Sequence, residues 1–251
     1  MKHNRIRAVW LITLASFMPA FASALECKRI ALNDTVTHAS LCNVDLRTDH
    51  LQLFLNDAAG RPLNTFQRLG DTLQGQGRRL LFAMNAGMYR QDFSPLGLFV
   101  VDGQALHRLN LASGYGNFYL KPNGVFLVSA TGAHLVASTE YNSIQEPMRL
   151  ATQSGPMLVQ HGAINSLFDP HGTSKFVRNG VGVVSSQEVV FAITDEPVNF
   201  YTFALLFRDQ LHCADALYLD GDISSLYAAE LQRDDERARI GPIIAVTAPA
   251  H

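Results

Sequence analysis

The run Ala214-Asp215-Ala216-Leu217-Tyr218-Leu219 is largely apolar and stops abruptly at Asp220-Gly221. Such a run, closed by a carboxylate and a residue that turns freely, predicts a buried strand ending in a sharp turn. Polar groups held at strand ends by a rigid sheet are where folds commonly place chemistry. Four other polar turns share the pattern: Asn85-Ala86-Gly87, Lys121-Pro122-Asn123-Gly124, Ser154-Gly155-Pro156 and Arg178-Asn179-Gly180. Five such turns predict a strand-rich fold whose site is assembled from several loops.

The rest of the chain agrees. Residues 44–56 alternate as one half-buried strand, with Leu51, Leu53 and Leu55 on a single face. Residues 62–76 carry Leu63, Phe66, Leu69 and Leu73 at helical spacing, and Gly75 and Gly77 end that helix. Residues 80–84 then enter as a buried strand before Asn85. The order recurs late in the chain, with a helix over 197–211, a strand over 216–219 and the turn at Asp220. Further strands are expected at 97–101, 124–129, 156–160, 180–185, 189–194 and 240–246. Short strands at near-regular intervals predict an α+β fold, a single domain of mixed, mostly antiparallel sheets with a few packed helices.

The N-terminus has a different purpose. Lys2, Arg5 and Arg7 precede an apolar core over residues 8–18, and Ala22-Ser23-Ala24 is a small-x-small cleavage signal. That is the layout of a secretory signal peptide, residues 1–24. A membrane anchor is the other reading, but the apolar stretch falls short of the ~20 residues a spanning helix needs. The domain is then residues 25–251, expected in a periplasm or outside the cell, with no stable membrane anchor in its mature form. Cys27 and Cys42 flank Asn33-Asp34, a turn between two short strands, so they form either a hairpin disulfide or two separate small hydrophobes. Cys213 is left over, as a packing residue or a catalytic thiol. The formal net charge is −2 and no basic tract exists, which argues against a nucleic-acid partner.

Chemistry-bearing groups gather at the turns. Asp220 and Asp222 lie two apart, and Asp195-Glu196 follow the strand over 189–194. Carboxylates in different surroundings divide acid and base work, although aspartates beside glycine also simply cap turns. Arg178 offers a planar fork to an anion and Lys121 a point charge, unless both are ordinary surface cations. Gly87, Gly124, Gly155 and Gly221 permit close backbone approach to a ligand. Ser154 lacks the Gly-x-Ser-x-Gly elbow of a hydrolase triad. His107, His134, His161 and His171 show no metal spacing, and His171 is a minor candidate. Carboxylates gathered at Asp220 and Asp222 leave room for a divalent cation such as Ca²⁺ or Mg²⁺.

In order along the chain, the turns are Asn85-Ala86-Gly87-Met88-Tyr89, Lys121-Pro122-Asn123-Gly124-Val125-Phe126, Gln153-Ser154-Gly155-Pro156-Met157-Leu158, Arg178-Asn179-Gly180-Val181-Gly182 and Leu219-Asp220-Gly221. This ordered set resembles the phosphodiester glycosidase domain family, over residues 44–227, and is most similar to its secreted bacterial branch. The resemblance implies hydrolysis of a sugar-1-phosphodiester at the anomeric carbon. By motif match it implies Asn85, Ser154, Gly155, Arg178, Asp220 and Gly221 as shared site residues. On charge, Asp220, Arg178 and Asp195 are the catalytic candidates, and Gly87, Lys121, Asn123 and Ser224 join the matched residues as expected contacts for a small-molecule or glycan phosphodiester. Two turns depart from the family pattern. Asp220-Gly221-Asp222-Ile223-Ser224 stands where a run of glycines is usual, and Ala86 where a glycine is common, so both narrow the space for a backbone close to substrate. A non-catalytic module binding such glycans, and a metal-dependent phosphodiesterase cutting the P–O bond, are the rival expectations.

Overall fold

The computed structural model describes residues 25–32, 37–221, 223–235 and 238–250. The expected signal segment, the turn at Asn33-Asp34 and the Asp222 side chain lie outside them. Three sheets make the fold, and every strand pairing among the described residues is antiparallel. The first has seven strands in the order Glu26–Ala31, His38–Asp45, Glu188–Thr194, Asn179–Ser185, Asp215–Asp220, Met157–Gln160 and Ala163–Ile164. The second has Arg233–Asp234, Leu226–Ala228, Arg78–Asn85, Ile243–Pro249 and His50–Phe54. The third has Gln104–His107, Phe99–Val101, Met148–Ser154, Gly124–Ser129 and Ala133–Ala137.

The central strands read as continuous apolar runs because both of their faces are covered. In Glu188–Thr194, Val189, Phe191 and Ile193 enter the core shared by the three sheets, while Val190 and Ala192 enter the core under the second helix. Arg78–Asn85 also serves two cores, with its alternation shifted by a bulge beside Leu81. Phe82 and Met84 face the shared core, and Leu80 and Ala83 face the first helix. Side chains alternate across a strand, so one strand serves two cores.

Both expected helices form, shorter than their apolar periodicity. Phe66–Gln74 begins after Thr65, whose hydroxyl accepts from the Arg68 amide at 3.1 Å, so Leu63 lies outside the helix in extended chain. Its Phe66, Leu69 and Leu73 pack on the second sheet. Phe200–Leu205 starts after Asn199, which accepts the Thr202 amide at 2.8 Å, and continues as a π-helical turn over Leu206–Gln210. Phe203 and Phe207 cover the outer face of the first sheet.

The single strand expected over 44–56 is two strands in different sheets. At Asp45 the chain turns, with the Thr48 and Asp49 amides bonded to the Asp45 carbonyl. Asp49, 5% exposed, accepts the Asp45 and Leu25 amides with its carboxylate. Apolar residues alternate on both sides of the polar run Arg47-Thr48-Asp49-His50, at even positions before it and odd positions after it, and that change of parity coincides with the turn. The closing strand, expected over 240–246, is Ile243–Pro249.

Cys27 and Cys42 sit directly opposite one another on paired strands and are joined by a disulfide. Cys213 packs in the core against Phe207 with its thiol pushed up to about 12, first by burial and then by the charge of Asp215, which leaves no thiolate for catalysis. Reducing the Cys27–Cys42 bond is expected to lower unfolding stability by about 2–4 kcal/mol. Urea titrations with and without reductant measure this, and coincident curves would contradict a stabilising role.

Candidate active site

Three sheets deliver strand ends to one place. Asp220 ends its strand in the first sheet, Asn179 begins the adjacent one, Asn85 ends a strand of the second sheet, and Ser154 ends a strand of the third. Asn179 and Asp220 are paired in register. Asp220 is 8% exposed and sits at the floor of a cleft of about 420 Å³.

The Asp220 carboxylate is held from two sides. Oδ1 accepts the Gly221 amide at 2.7 Å, and Oδ2 accepts the Asn85 side-chain amide at 3.3 Å. The Asp220 amide donates to Asn179 Oδ1 at 2.7 Å, and Ser224 Oγ donates to the Asp220 carbonyl at 2.9 Å. Asn85 Oδ1 accepts the Ser225 amide at 2.8 Å, which ties the second sheet to the turn after Asp220. Ser154, fully buried, donates to the Leu219 carbonyl at 2.8 Å. Asparagine and serine recur here because each donates and accepts at once, so groups buried at three strand ends satisfy one another.

Most of the expected contact residues therefore stand behind Asp220. Asn85, Ser154 and Ser224 are buried tethers, and Ser154 is sealed from any substrate. Gly87, at φ +154°, fits over the Gln153 carbonyl and the Thr152 hydroxyl, and a Cβ there would meet both at 3.2 Å. Gly221 abuts the Tyr218 hydroxyl, so a side chain at that position collides with it. Gly155 lies beneath Asn123 and the Phe118 carbonyl. Asn123 donates to that carbonyl at 3.0 Å and accepts from Lys121 Nζ at 3.2 Å. Lys121 and Asn123 thus hold the loop that forms one cleft wall.

Two expected catalytic residues are placed elsewhere. Arg178 is fully buried in an aromatic box, its guanidinium carbon 3.7 Å from the centre of the Phe200 ring and 5.4 Å from that of Tyr218. Nε donates to the Val198 carbonyl at 2.8 Å and Nη2 to the Ser174 carbonyl at 3.0 Å. The side chain anchors the start of the Asn179 strand and does not line the cleft. Asp195 accepts from Arg29 at 2.5 Å and from Arg233 at 2.7 Å, an ion pair joining the first strand to residues 233–235. Both reassignments have the same cause. Partners distant in sequence claim these side chains, Val198, Phe200 and Tyr218 for Arg178 and Arg29 and Arg233 for Asp195.

The cleft walls hold what the sequence reading missed: Tyr89, Arg90, Gln91, Tyr115 and Asn117. Tyr89 donates to the Arg239 carbonyl at 2.7 Å, and its hydroxyl is pushed up to about 12 by burial and then by the Asp220 charge. It stays protonated, a fixed donor. Tyr115 is fully exposed at the mouth. Tyr89 belongs to the motif after Asn85, and Arg90 follows it directly. His171 lines a separate cleft with Lys175 and Asn199. For a cation, Asp220 already turns both oxygens to N–H donors, and Asp222 lies outside the described residues. Among the described residues no three His, Cys, Asp or Glu side chains gather around a metal-sized space.

The chain belongs to the phosphodiester glycosidase family, whose sequence pattern it matches over residues 78–247. It is 35% identical over 235 residues to the uncharacterized protein YigE of Escherichia coli K12, across 90% of this chain and 91% of that one. Its fold is similar to the catalytic domain of zebrafish N-acetylglucosamine-1-phosphodiester alpha-N-acetylglucosaminidase, described as auto-inhibited by its pro-peptide. That match has 15% identity and a TM-score of 0.60, over 92% of this chain and 85% of that chain. A hypothetical protein from Synechocystis shares the fold with 13% identity and a TM-score of 0.54, over 89% of this chain and 62% of that one.

Arg178→Ala is expected to remove about 3 kcal/mol or more of stability, because a cation–π stack and two charge-assisted hydrogen bonds are lost and a cavity is left. Urea denaturation of the variant measures this. A variant as stable as the parent would return Arg178 to the list of substrate contacts.

Proposed function

We propose that the Asp220 cleft hydrolyses a sugar-1-phosphodiester at the anomeric carbon, releasing free sugar and a phosphomonoester. The observation that carries this reading is Asp220 itself. Among the described residues it is the one carboxylate lining the cleft, fixed there by hydrogen bonds from two elements. Membership of a phosphodiester glycosidase family supports the substrate class.

The chemistry follows from where charge develops. As the C1–O bond to phosphate breaks, positive charge grows at the anomeric carbon, and a preorganised carboxylate beside it stabilises that charge. Water attacks C1, and Asp220 accepts its proton. The electron pair of the broken bond leaves on the phosphate oxygen. A phosphate monoester departs as a stable anion, so the site needs no strong acid on the leaving side. Tyr89, held protonated, gives its one hydroxyl hydrogen to the Arg239 carbonyl and so supplies no proton to the reaction. The N-terminal secretion pattern and the Cys27–Cys42 disulfide support a periplasmic or secreted enzyme.

Incubation with an N-acetylglucosamine-α-1-phosphodiester should give free N-acetylglucosamine, and Asp220→Asn should slow its release by about 10²–10⁴-fold while the fold survives. Sugar phosphate as product would mean P–O cleavage instead. Saturable binding without turnover, equal in the parent and in Asp220→Asn, would mark a glycan-binding module.

A further inference from the structure

Arg90 is the one cationic side chain among the described residues that line the Asp220 cleft. It comes directly after Tyr89, the last residue of the Asn85 motif, and stands in a tight turn, its amide bonded to the Ser94 carbonyl at 2.9 Å. One end of its guanidinium is already engaged. Nη1 donates to the Pro95 carbonyl and lies 3.0 Å from His107 Nε2. His107 Nδ1 lies 2.9 Å from the Gly97 carbonyl oxygen.

The partners dictate the state of the imidazole. A carbonyl only accepts, so Nδ1 carries the proton, and a guanidinium only donates, so Nε2 presents its lone pair. His107 is therefore a neutral acceptor that holds Nη1. Both Nη1 hydrogens are committed to the protein. The Nε and Nη2 donors make no hydrogen bond with the described residues. That free edge is a planar two-donor fork, matched to the two non-bridging oxygens of a phosphodiester. Asp92, the acidic neighbour, turns its carboxylate to the amide and hydroxyl of Ser94, at 3.0 and 2.6 Å.

We propose that Arg90 is the phosphate-binding residue of the cleft and that His107 is its positioning residue. The inference rests on the phosphodiester reading of the Asp220 cleft and adds the anion subsite to it. The sugar then faces Asp220, and the phosphate faces the Nε–Nη2 edge of Arg90.

Dimethyl phosphate, which carries the anion without a sugar, is the probe. It is titrated by calorimetry into the full-length protein and into Arg90→Gln, Arg90→Lys, His107→Gln and His107→Leu, with thermal midpoints as the folding control. Arg90→Gln is expected to weaken binding at least about tenfold, and Arg90→Lys to recover part of the loss as a point charge without the fork. His107→Gln retains an acceptor and should stay within about twofold of the parent, whereas His107→Leu should weaken binding about threefold to fivefold. No binding by the parent, or equal binding by Arg90→Gln, overturns the subsite. Equal binding by His107→Leu overturns the positioning role. Turnover separates this inference from the one beneath it. Dimethyl phosphate binding lost in Arg90→Gln, in a protein that releases no sugar, keeps the subsite and removes the glycosidase. Free sugar released by Arg90→Gln with unaltered KM and kcat keeps the glycosidase and removes the subsite.

Discussion

Phe191 makes the contact on which the architecture depends. Its ring lies 5.0 Å from Phe82 and 6.1 Å from Phe126, centre to centre, the second pair edge-on. Each phenylalanine comes from a different sheet, and all three are fully buried. Large aromatic rings fill the wedge where three sheets converge and favour tilted contacts of this kind. A smaller side chain at any of the three leaves a void that no neighbour on a rigid strand can fill. The helices matter less to this junction, since each covers only the outer face of one sheet.

Convergence at one end of the fold creates the site. Because the sheets meet at a wedge, the ends of four strands arrive together, and their terminal backbone groups are buried without a continuing ladder. Such groups need partners, and short amides and hydroxyls supply them. Asn179 shows the economy of the arrangement, since its side-chain oxygen receives the Asp220 amide at 2.7 Å while its nitrogen donates to the Asn85 carbonyl at 3.4 Å. The satisfaction of stranded backbone groups and the orientation of the Asp220 carboxylate are thus one structural solution. This explains why Asn85, Ser154 and Ser224 are buried behind Asp220.

The strands buried on both faces were legible as apolar runs, and so was the termination of one of them in Asp220. Met148–Ser154 was not, because its inner positions include Thr152, Gln153 and Ser154, buried polar groups with partners on other elements. Hydrophobic periodicity has no access to a strand stabilised that way. The turn at Asp45–Asp49 does leave a trace in the pattern, since the alternation shifts from even to odd positions across the polar run Arg47-Thr48-Asp49-His50. Arg178 was misplaced because its box is built by Phe200 and Tyr218, whose proximity only the fold creates. Arg90 was missed because its cleft needs the loop bearing Tyr115 as an opposite wall. Local pattern locates strand ends well. It does not tell which polar residue faces inward and which faces the ligand.

Floor and walls are joined through two adjacent residues. Ser154 reaches down to the Leu219 carbonyl beside Asp220. Its neighbour Gln153 points the other way, as strand geometry demands, and engages the walls. Its side-chain oxygen accepts the Leu98 and Asn110 amides at 3.0 and 2.9 Å, and its nitrogen donates to the Asn110 carbonyl at 2.7 Å and to Ser138 at 2.9 Å. Gly97 is bare of a side chain where this amide passes, and a Cβ there would collide with it. Leu98 follows the segment that carries Arg90, and Asn110 precedes the loop that carries Tyr115. A rigid carboxylate at the floor is useful only if the groups that receive the substrate keep a fixed distance from it. In this fold that distance is set by one buried glutamine, satisfied at both ends of its amide, and by the serine that follows it.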